Sequence, residues 1–426
     1  MRVTVVTAIR NSLRAFNKIK PQSAMEWNSG ENTAAVLLGR RNIAVQECPM
    51  PSLQPDGVLV EVISTGICGT DMHSYLSGGF GGQAITEPIV LGHESAGEVI
   101  AVGGMVTSHQ VGDRVAIEPG LPCRRCRNCK DGRSNICLDL TYCGMPGSVG
   151  SLSRYFALPA DMAPKIPASI SWDEAGCIQP LAIGVQIGKR GDLRAHQNIA
   201  IFGCSPIGLI TAAIARAYSA SEIIASDNSP ERVEFARTYL SPLTGKPIIN
   251  HVFLSEPLST SSVGNEERQT TSGPGASAGD NDADKAEVPI GDRKWEWAER
   301  LAAGYLREAG IDKESLDRVV ETTGVEDCLM LSVALAKQGG TVLAVGLGPH
   351  QTAAIPTIAL NSKEIDFKGI MHYTPSCFPD AIDLLARGVV DLEPLISVSF
   401  PLSQAQDAFE AVASGKYLKV LIKNQE

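Results

Sequence analysis

The sequence predicts an α/β fold of two domains, one rich in β-strands and the other built on a doubly wound parallel sheet. Four cysteines bunched between Cys123 and Cys137 indicate a metal cluster in the loops of the β-rich domain. From residue 198 onward, short apolar runs alternate with helical patterns, and this alternation indicates βαβ units. The 426 residues suffice for two separate cores, and the 44% hydrophobic and 20% charged fractions are typical of a globular chain.

Composition excludes several classes of partner. The formal net charge of −10 disfavours nucleic acid and anionic membranes, because nothing would offset the repulsion of phosphates. No stretch approaches about 18 uncharged apolar residues, so we expect no membrane span. The odd count of 11 cysteines, without a secretory signal, predicts reduced thiols and therefore a cytoplasmic protein.

The first 25 residues are basic and amphipathic, and they contain no acidic side chain. The basic residues are Arg2, Arg10, Arg14, Lys18 and Lys20. This pattern is typical of a mitochondrial transit peptide; the alternatives are a disordered tail and a translation start at Met25. We expect residues 1–30 to be a disordered extension, with a mitochondrial location as the alternative to a cytoplasmic one.

Alternating apolar residues between glycine turns predict the strands of the β-rich domain, which we assign to residues 31–187 and 370–426. These strands lie at 34–45, 58–64, 98–102 and 114–117. The strand at 58–64 leads directly into the loop that contains Cys68. Near the end of this domain, Ser171 is a suitable N-cap for a helix that begins at Trp172.

Residues 188–369 are predicted to form the parallel-sheet domain. Its predicted strands are 199–202, 223–226, 318–321 and 341–345, and its helices are 207–218, 230–239 and 325–336. Residues 255–286 interrupt the pattern with Ser, Thr, Gly, Asp, Asn and Glu. Such a segment buries too little apolar surface to offset the entropy of ordering, so we expect a disordered insertion. Helical spacing resumes near Trp295.

Cys123, Cys126, Cys129 and Cys137 follow a C-x2-C-x2-C-x7-C spacing. Thiolates two residues apart in a tight turn can reach one zinc ion, and four of them complete a tetrahedral shell. The alternative, four unrelated thiols in a loop, does not explain the spacing. We predict a structural zinc site, because a closed shell leaves no position for a substrate.

A second candidate metal site combines three different ligand types. Cys68 follows the strand at 58–64, and His93 and Glu94 follow the apolar run 89–91. One thiolate, one imidazole and one carboxylate form an open zinc site, in which a water or substrate oxygen completes the coordination. Taken alone, a single cysteine and a His-Glu pair also fit ordinary core or surface residues.

The segment Gly203-Cys204-Ser205-Pro206-Ile207-Gly208 follows a buried strand and opens a helix. It is a G-x-G-x-x-G turn with Ser205 at the middle glycine, and such turns direct backbone N–H groups at a pyrophosphate. Pro206 suits the first helical position, where no N–H is needed. A side chain at Ser205 occupies space that normally admits the cofactor.

Asp227 ends the next strand, where a carboxylate would bind the ribose hydroxyls of NAD and repel the extra phosphate of NADP. The alternative role for Asp227 is a helix N-cap, since Pro230 follows it. Arg232 would either soften the preference for NAD or lie on a helix face exposed to water.

Three segments together resemble the zinc-containing medium-chain dehydrogenases, and within them the sorbitol and xylitol dehydrogenases. They are Cys68-Gly69-Thr70-Asp71, the run from Gly92-His93-Glu94 to Val99, and the four-cysteine segment. The resemblance extends from about residue 34 to the C-terminus, apart from the insertion. It implies a GroES-like catalytic domain, a Rossmann domain, two zinc ions per chain, and a homo-oligomer, either a tetramer or a dimer. The implied reaction transfers a hydride from a secondary alcohol of a polyol to NAD, giving a ketose.

The resemblance also implies roles for individual residues. Cys68, His93 and Glu94 match the catalytic zinc ligands, while Thr70 and His73 match residues that pass the alcohol proton toward solvent. The segments Glu321–Gly324 and Val345–Gly348 resemble loops that line the nicotinamide. Within them, we assign cofactor contacts to Thr323, Val345 and Gly346.

Two positions near the expected substrate depart from the family pattern. Gln179 stands where the family usually has Glu, and His372, followed by Tyr373, stands where polyol enzymes usually have Arg. Together with Ser205, these changes keep open a catalytically silent or altered member that acts on a non-sugar alcohol. The zinc-free quinone and enoyl reductases of the same fold use NADPH and lack both sets of metal ligands.

Overall fold

The computed structural model describes residues 32–80, 83–255, 290–348 and 352–426. Two compact units divide the chain, Met1–Gln186 with Met371–Glu426, and Ile187–Ile370. We call them the first and the second unit. The predicted extension at 1–30 and nearly all of the predicted insertion at 255–286 lie outside the described residues.

The first unit is built mainly from antiparallel strands. These are β1 Asn32–Gly39, β2 Asn42–Cys48, β3 Gly57–Gly66, β4 Gly79–Phe80, β5 Gln83–Ala84, β6 Ile89–Val90, β7 Glu94–Val102, β8 Arg114–Ile117, β9 Gly120–Leu121, β10 Thr141–Tyr142, β11 Tyr155–Pro159, β18 Ile396–Pro401 and β19 Lys419–Lys423. The main sheet has the order β18-β19-β3-β7-β8, with β11 also paired to β3. Alternate residues of β3, Val58, Val60 and Val62, point into one core, as expected for a strand with one face buried.

The helices of the first unit connect and cover these sheets. They are α1 Gly69–Ser77, α2 Arg127–Lys130, α3 Trp172–Ala175, α4 Ile178–Arg190, which runs past the unit boundary, α10 Cys377–Ala386 and α11 Ala405–Ala413. Ser171 caps α3 as predicted. Its hydroxyl accepts a hydrogen bond from the Glu174 N–H, and the Glu174 carboxylate accepts one from the Ser171 N–H.

The described residues of the second unit form a sheet of six strands, whose five pairings are all parallel. They are β12 Asn198–Phe202, β13 Glu222–Asp227, β14 His251–Leu254, β15 Leu316–Glu321, β16 Thr341–Ala344 and β17 Asp366–Gly369. The spatial order β14-β13-β12-β15-β16-β17 reverses direction between β12 and β15, which is the Rossmann arrangement. Doubly wound sheets of this kind bind ligands beyond the strand ends at that reversal.

The helices of the second unit are α5 Pro206–Ala217, α6 Pro230–Thr238, α7 Ile290–Ala309, α8 Glu326–Leu335 and α9 Thr357–Ser362. Pro206 occupies the first turn of α5 as predicted. Along α7, Ala298, Ala302 and Tyr305 are buried at helical spacing, and the Tyr305 ring stacks on Phe253 with centroids 4.3 Å apart. Throughout the part of the chain described here, no helix has both the length and the apolar character that crossing a membrane requires.

Candidate metal and cofactor sites

The pairing of β3 with β7 brings the three mixed ligands together. Gly66 at the end of β3 faces Glu94 at the start of β7, and Cys68 follows β3 by two residues. The ligand atoms of Cys68, His93 and Glu94 all lie within 4.8 Å of one another. His93 and Glu94 are buried, with only 3% and 2% of their surfaces exposed, whereas Cys68 is half-buried.

Asp71 contacts two of these three residues, Cys68 and His93, although no sequence pattern indicated a role for it. One carboxylate oxygen accepts from the backbone N–H of Cys68 at 3.1 Å, and the other lies 3.4 Å from His93 Nδ1. Burial opposes a charge on the imidazole, yet Asp71 and Cys68 raise the pKa of His93 well above its usual value. Asp71 therefore fixes the orientation of the imidazole and favours electron donation from it.

Glu94 forms a buried ion pair with Lys419, which comes from β19 near the end of the chain. The ammonium group donates to Glu94 Oε2 and to the Ile67 carbonyl oxygen. Burial disfavours the charged ammonium, but the Glu94 carboxylate outweighs it and raises the pKa of Lys419 to about 12. A Cβ on Gly66 would lie only 2.6 Å from Glu94 Oε2, so this close approach requires glycine there.

The predicted proton-relay residues lie on α1, directly after the metal ligands. Cys68 is the N-cap of this helix, and its sulfur accepts from the Thr70 N–H at 3.5 Å. The Thr70 hydroxyl oxygen lies 3.7 Å from the same sulfur. His73 is half-buried one turn further along α1.

The four cysteines of the other cluster also converge. The sulfur atoms of Cys123, Cys126, Cys129 and Cys137 all lie within 4.8 Å of one another. Backbone N–H groups of the same segment donate to these sulfurs, from Cys126 to Cys123 at 3.3 Å and from Cys123 to Cys137 at 3.2 Å. Strands β9 and β10 pair on either side of the segment and close it at its base.

Tyr142 links the metal ligands to the substrate-side candidates. Its ring lies 5.6 Å from the His93 ring and stacks on the His372 ring at 4.3 Å. The amide of Gln179 donates to the Tyr142 hydroxyl at 2.8 Å, and the Tyr373 hydroxyl lies 3.3 Å from it. No sequence pattern indicated a role for Tyr142, although it comes only five residues after the last cysteine of the four-cysteine cluster.

The glycine turn after β12 has the backbone that its sequence predicts. Gly203 has a φ of 97°, and a Cβ on Gly208 would lie 1.7 Å from the Gly203 carbonyl oxygen. Ser205 is the N-cap of α5, and Pro206 and Ile207 form its first turn. The N-terminus of this helix is therefore suited to a pyrophosphate.

Asp227 is buried at the end of β13, beside the glycine turn. Its carboxylate accepts from the Cys204 N–H at 2.7 Å and from the Ser229 N–H at 2.8 Å. The alternative role of Asp227 as a helix N-cap is wrong, because the Ser229 hydroxyl caps α6. The role of Arg232 stays a prediction: its side chain lies on α6 and is 35% exposed, and its guanidinium lies 4.0 Å from the Asp227 carboxylate.

Glu321, to which the sequence analysis assigned no cofactor contact, organises the loops that contain Thr323, Val345 and Gly346. Its buried carboxylate accepts from the Thr323 N–H at 2.6 Å. Its backbone carbonyl accepts from the N–H groups of Val345 and Gly346 at 2.9 and 3.0 Å. These loops follow β15 and β16, on one side of the reversal in strand order.

Both candidate metal sites have ligands suited to zinc, and the glycine turn after β12 is suited to a dinucleotide. A thiolate, an imidazole and a carboxylate at this spacing suit an open zinc site, and four thiolates suit a closed one. The second unit offers a helix N-terminus for a pyrophosphate and a carboxylate for a ribose.

Comparison with known families gives two matches along the chain. A model of the alcohol dehydrogenase GroES-like domain matches residues 54–168, and a model of the zinc-binding dehydrogenase domain matches residues 285–387. The first match contains all seven candidate metal ligands.

Individual proteins resemble nearly the whole chain. D-xylulose reductase A of Aspergillus niger is 33% identical over 395 residues, which cover 92% of this chain and 97% of that protein. D-xylulose reductase A of Aspergillus oryzae is 32% identical with the same coverage. Among solved structures, an oxidoreductase of unknown specificity from Escherichia coli is 26% identical, with a TM-score of 0.74 and coverage of 92% of this chain and 99% of that one.

Proposed function

Because the chain belongs to the zinc-containing medium-chain dehydrogenases of the polyol dehydrogenase type, we propose that it oxidises a secondary alcohol of a polyol to a ketone. It is an oxidoreductase with zinc and NAD as its cofactors. The observation that carries the proposal is the convergence of Cys68, His93 and Glu94 into an open set of ligands. The xylulose reductases of the two Aspergillus species point to a substrate such as xylitol, with sorbitol and arabinitol as close analogues.

The first unit supplies the groups that act on the alcohol. When bound, zinc acts as a Lewis acid toward the alcohol oxygen, and NAD accepts the hydride. Cys68, His93 and Glu94 hold the metal, and Asp71 keeps the His93 ring in place. The Thr70 hydroxyl accepts the alcohol proton, which His73 passes to solvent, so that the alcohol loses one hydride and one proton.

The second unit holds the cofactor in this proposal. The backbone N–H groups of Ser205, Ile207 and Gly208 bind the pyrophosphate, and Asp227 binds the ribose hydroxyls. The negative charge of Asp227 repels the extra phosphate of NADP, and Arg232 offsets part of that repulsion from 4.0 Å away. Thr323, Val345 and Gly346 are the proposed nicotinamide contacts.

The test is a joint measurement of zinc content and NAD reduction over xylitol, sorbitol, arabinitol and 2-butanol. We expect two zinc ions per chain and turnover with at least one polyol. A Cys48→Ala variant serves as the control, because Cys48 is a buried cysteine at the end of β2 outside both clusters. Binding of zinc and NAD without turnover of any alcohol would contradict the proposal.

A catalytically altered member is the second candidate function. Gln179, Ser205 and His372 favour it, since each changes a position next to a proposed substrate or cofactor. Under this alternative, 2-butanol or another non-sugar alcohol would be oxidised with a higher kcat/KM than any polyol. The same panel therefore separates the two candidates.

We also propose a homo-oligomer, either a tetramer or a dimer. Strand β17 is the last strand of the parallel sheet, and unpaired strand edges favour association. Ile358 is 85% exposed and Phe367 37% exposed in the same unit, and exposed apolar side chains favour a covered interface. Light scattering tests this: we expect Ile358→Asp to lower the molecular mass in solution. A monomeric wild-type protein would contradict it. A cytoplasmic location remains a proposal, with mitochondrial import as its alternative.

A further inference from the structure

Close to the candidate metal ligands, the first unit contains a small polar cleft. Its lining includes Glu118, Asn135, Tyr142, His372 and Tyr373. The Tyr142 ring lies between the cleft and the metal ligands, because it contacts both the His372 ring and the His93 ring. The free volume of the cleft is only about 10 Å³, so it admits a single hydroxyl group of a substrate.

Two buried polar atoms of this cleft have no hydrogen-bond partner among the described residues. They are Asn135 Oδ1 and His372 Nδ1. Asn135 Nδ2 donates to the Met371 carbonyl oxygen at 2.7 Å, which fixes the amide orientation and leaves Oδ1 as an acceptor. A buried acceptor without a donor is costly, so it favours a bound group that brings one. A hydroxyl brings a donor for Asn135, and it can pair with His372 Nδ1 in either tautomer of the ring.

The cleft is also poor in charge. Among the residues that the structure describes, no Lys or Arg lines it. Burial, and then the neighbouring His93, lower the pKa of His372 to about 4, so its ring is neutral at physiological pH. Burial, and then Asp161, raise the pKa of Glu118 to about 8, so most of this carboxyl group is protonated at pH 7. An anionic group entering the cleft would lose its hydration without gaining a cationic partner.

We propose that Asn135 and His372 form an uncharged subsite for one distal hydroxyl group of the substrate, which selects neutral polyols over polyol phosphates. This inference rests on the proposed function and narrows its substrate class. The Tyr142 ring stacks on the His372 ring and keeps it in place. The Gln179 amide donates a hydrogen bond to the Tyr142 hydroxyl and so fixes Tyr142. The position that usually carries Arg in polyol enzymes is thus occupied by a neutral ring.

The main test compares sorbitol with 2-butanol, which has no distal hydroxyl. His372→Phe keeps an aromatic ring next to Tyr142 and removes both ring nitrogens. We expect about a tenfold or larger rise in KM for sorbitol, with kcat nearly unchanged and 2-butanol oxidation within about twofold of wild type. Asn135→Leu should give the same pattern.

His196→Phe is the matched control. His196 has a left-handed φ of 67°, close to the 47° of His372, but it is exposed on the second unit. It should leave both substrates unaffected, which separates loss of the hydroxyl contact from backbone strain. Equal effects of His372→Phe on sorbitol and 2-butanol, or no effect on either, would overturn the inference.

The second arm tests charge. Wild-type kcat/KM for sorbitol should exceed that for sorbitol 6-phosphate by about a hundredfold, and His372→Arg should narrow this gap. A preference for the phosphate would overturn the inference. Calorimetric titration of sorbitol into the zinc- and NADH-loaded protein gives a readout without turnover, in which His372→Phe should weaken binding about tenfold. If no alcohol is oxidised, the proposed function fails, while this titration still decides the subsite: unchanged binding in His372→Phe refutes it.

Discussion

The two cysteine-containing clusters of the first unit differ in where their ligands come from. Cys123, Cys126, Cys129 and Cys137 lie within one segment of 15 residues and use a single ligand type. Cys68 and the His93-Glu94 pair come from two separate segments and use three ligand types, of which the imidazole and the carboxylate are buried. A local, uniform cluster is suited to stability, and a dispersed, mixed one is suited to catalysis.

The hydrogen-bond partners of the two clusters also differ in how far away they lie in sequence. The sulfurs of Cys123 and Cys137 receive hydrogen bonds from backbone N–H groups within their own segment or just after it. The mixed ligands depend on Asp71 and on Lys419, which is 325 residues away from Glu94 in sequence. A change near the mixed cluster should therefore alter chemistry, whereas a change in the other should alter stability.

The largest expected effect comes from Cys68→Ser. We expect turnover to fall about a thousandfold or more, because one thiolate of the open site is lost and charge stabilisation of several kcal/mol depends on that site. One zinc ion per chain should remain, and Tm should change little. If zinc content stays at two and activity persists, the catalytic assignment of the mixed cluster is wrong.

A smaller effect is expected from Asp71→Asn, which keeps the shape of the side chain but removes its charge. Zinc affinity of the mixed cluster should weaken about 10- to 100-fold, as expected for loss of a carboxylate behind a ligating histidine. Competition with a chelator measures it, and added zinc should restore kcat. Asp131→Asn, on the exposed end of α2, is the control and should leave zinc affinity unchanged.

Asp227→Ala tests the second unit without touching either cluster. We expect KM for NAD to rise about tenfold, since charge-assisted hydrogen bonds to the ribose are lost. KM for NADP should change little, because the repulsion of its phosphate is lost as well. Similar losses for both cofactors would show that Asp227 acts only through its bonds to Cys204 and Ser229.

Cys123→Ser should have the smallest effect on turnover and a clear effect on stability. Loss of the closed zinc site should lower Tm by roughly 10 °C, while kcat per folded molecule stays within about twofold of wild type. Thermal melts and active-site titration measure the two quantities. An equal loss of folding in Cys123→Ser and Cys68→Ser would remove the distinction between the clusters.

The sequence was sufficient for the features encoded locally. The fold class and the family are confirmed, and the predicted strand at 114–117 matches β8 residue for residue. The spacing of Cys123 to Cys137 indicates a cluster because all four ligands lie in one turn-rich segment. The glycine turn and its helix likewise depend on neighbouring residues, so their pattern is visible in the sequence.

Contacts between distant residues could not be predicted in this way. No local pattern connects Lys419 with Glu94 or Tyr142 with His372, since only the folded sheets bring them together. Strand β17 was missed because Phe367 is its only large apolar side chain, and strand β14 was missed because it ends next to the polar segment that interrupts the pattern. Helix α1 was missed because the metal-ligand motif, which carries no clear apolar stripe, covers its first turns.

The most direct test of an open catalytic metal is the optical spectrum of the protein with cobalt in place of zinc in the mixed cluster. Cobalt bands report the ligands and geometry of the ion that Cys68, His93 and Glu94 hold. We predict that xylitol, added with NADH, shifts these bands, and that Cys68→Ser abolishes them. A spectrum that no polyol alters, or one that survives in Cys68→Ser, would contradict a substrate-contacting metal at these three residues.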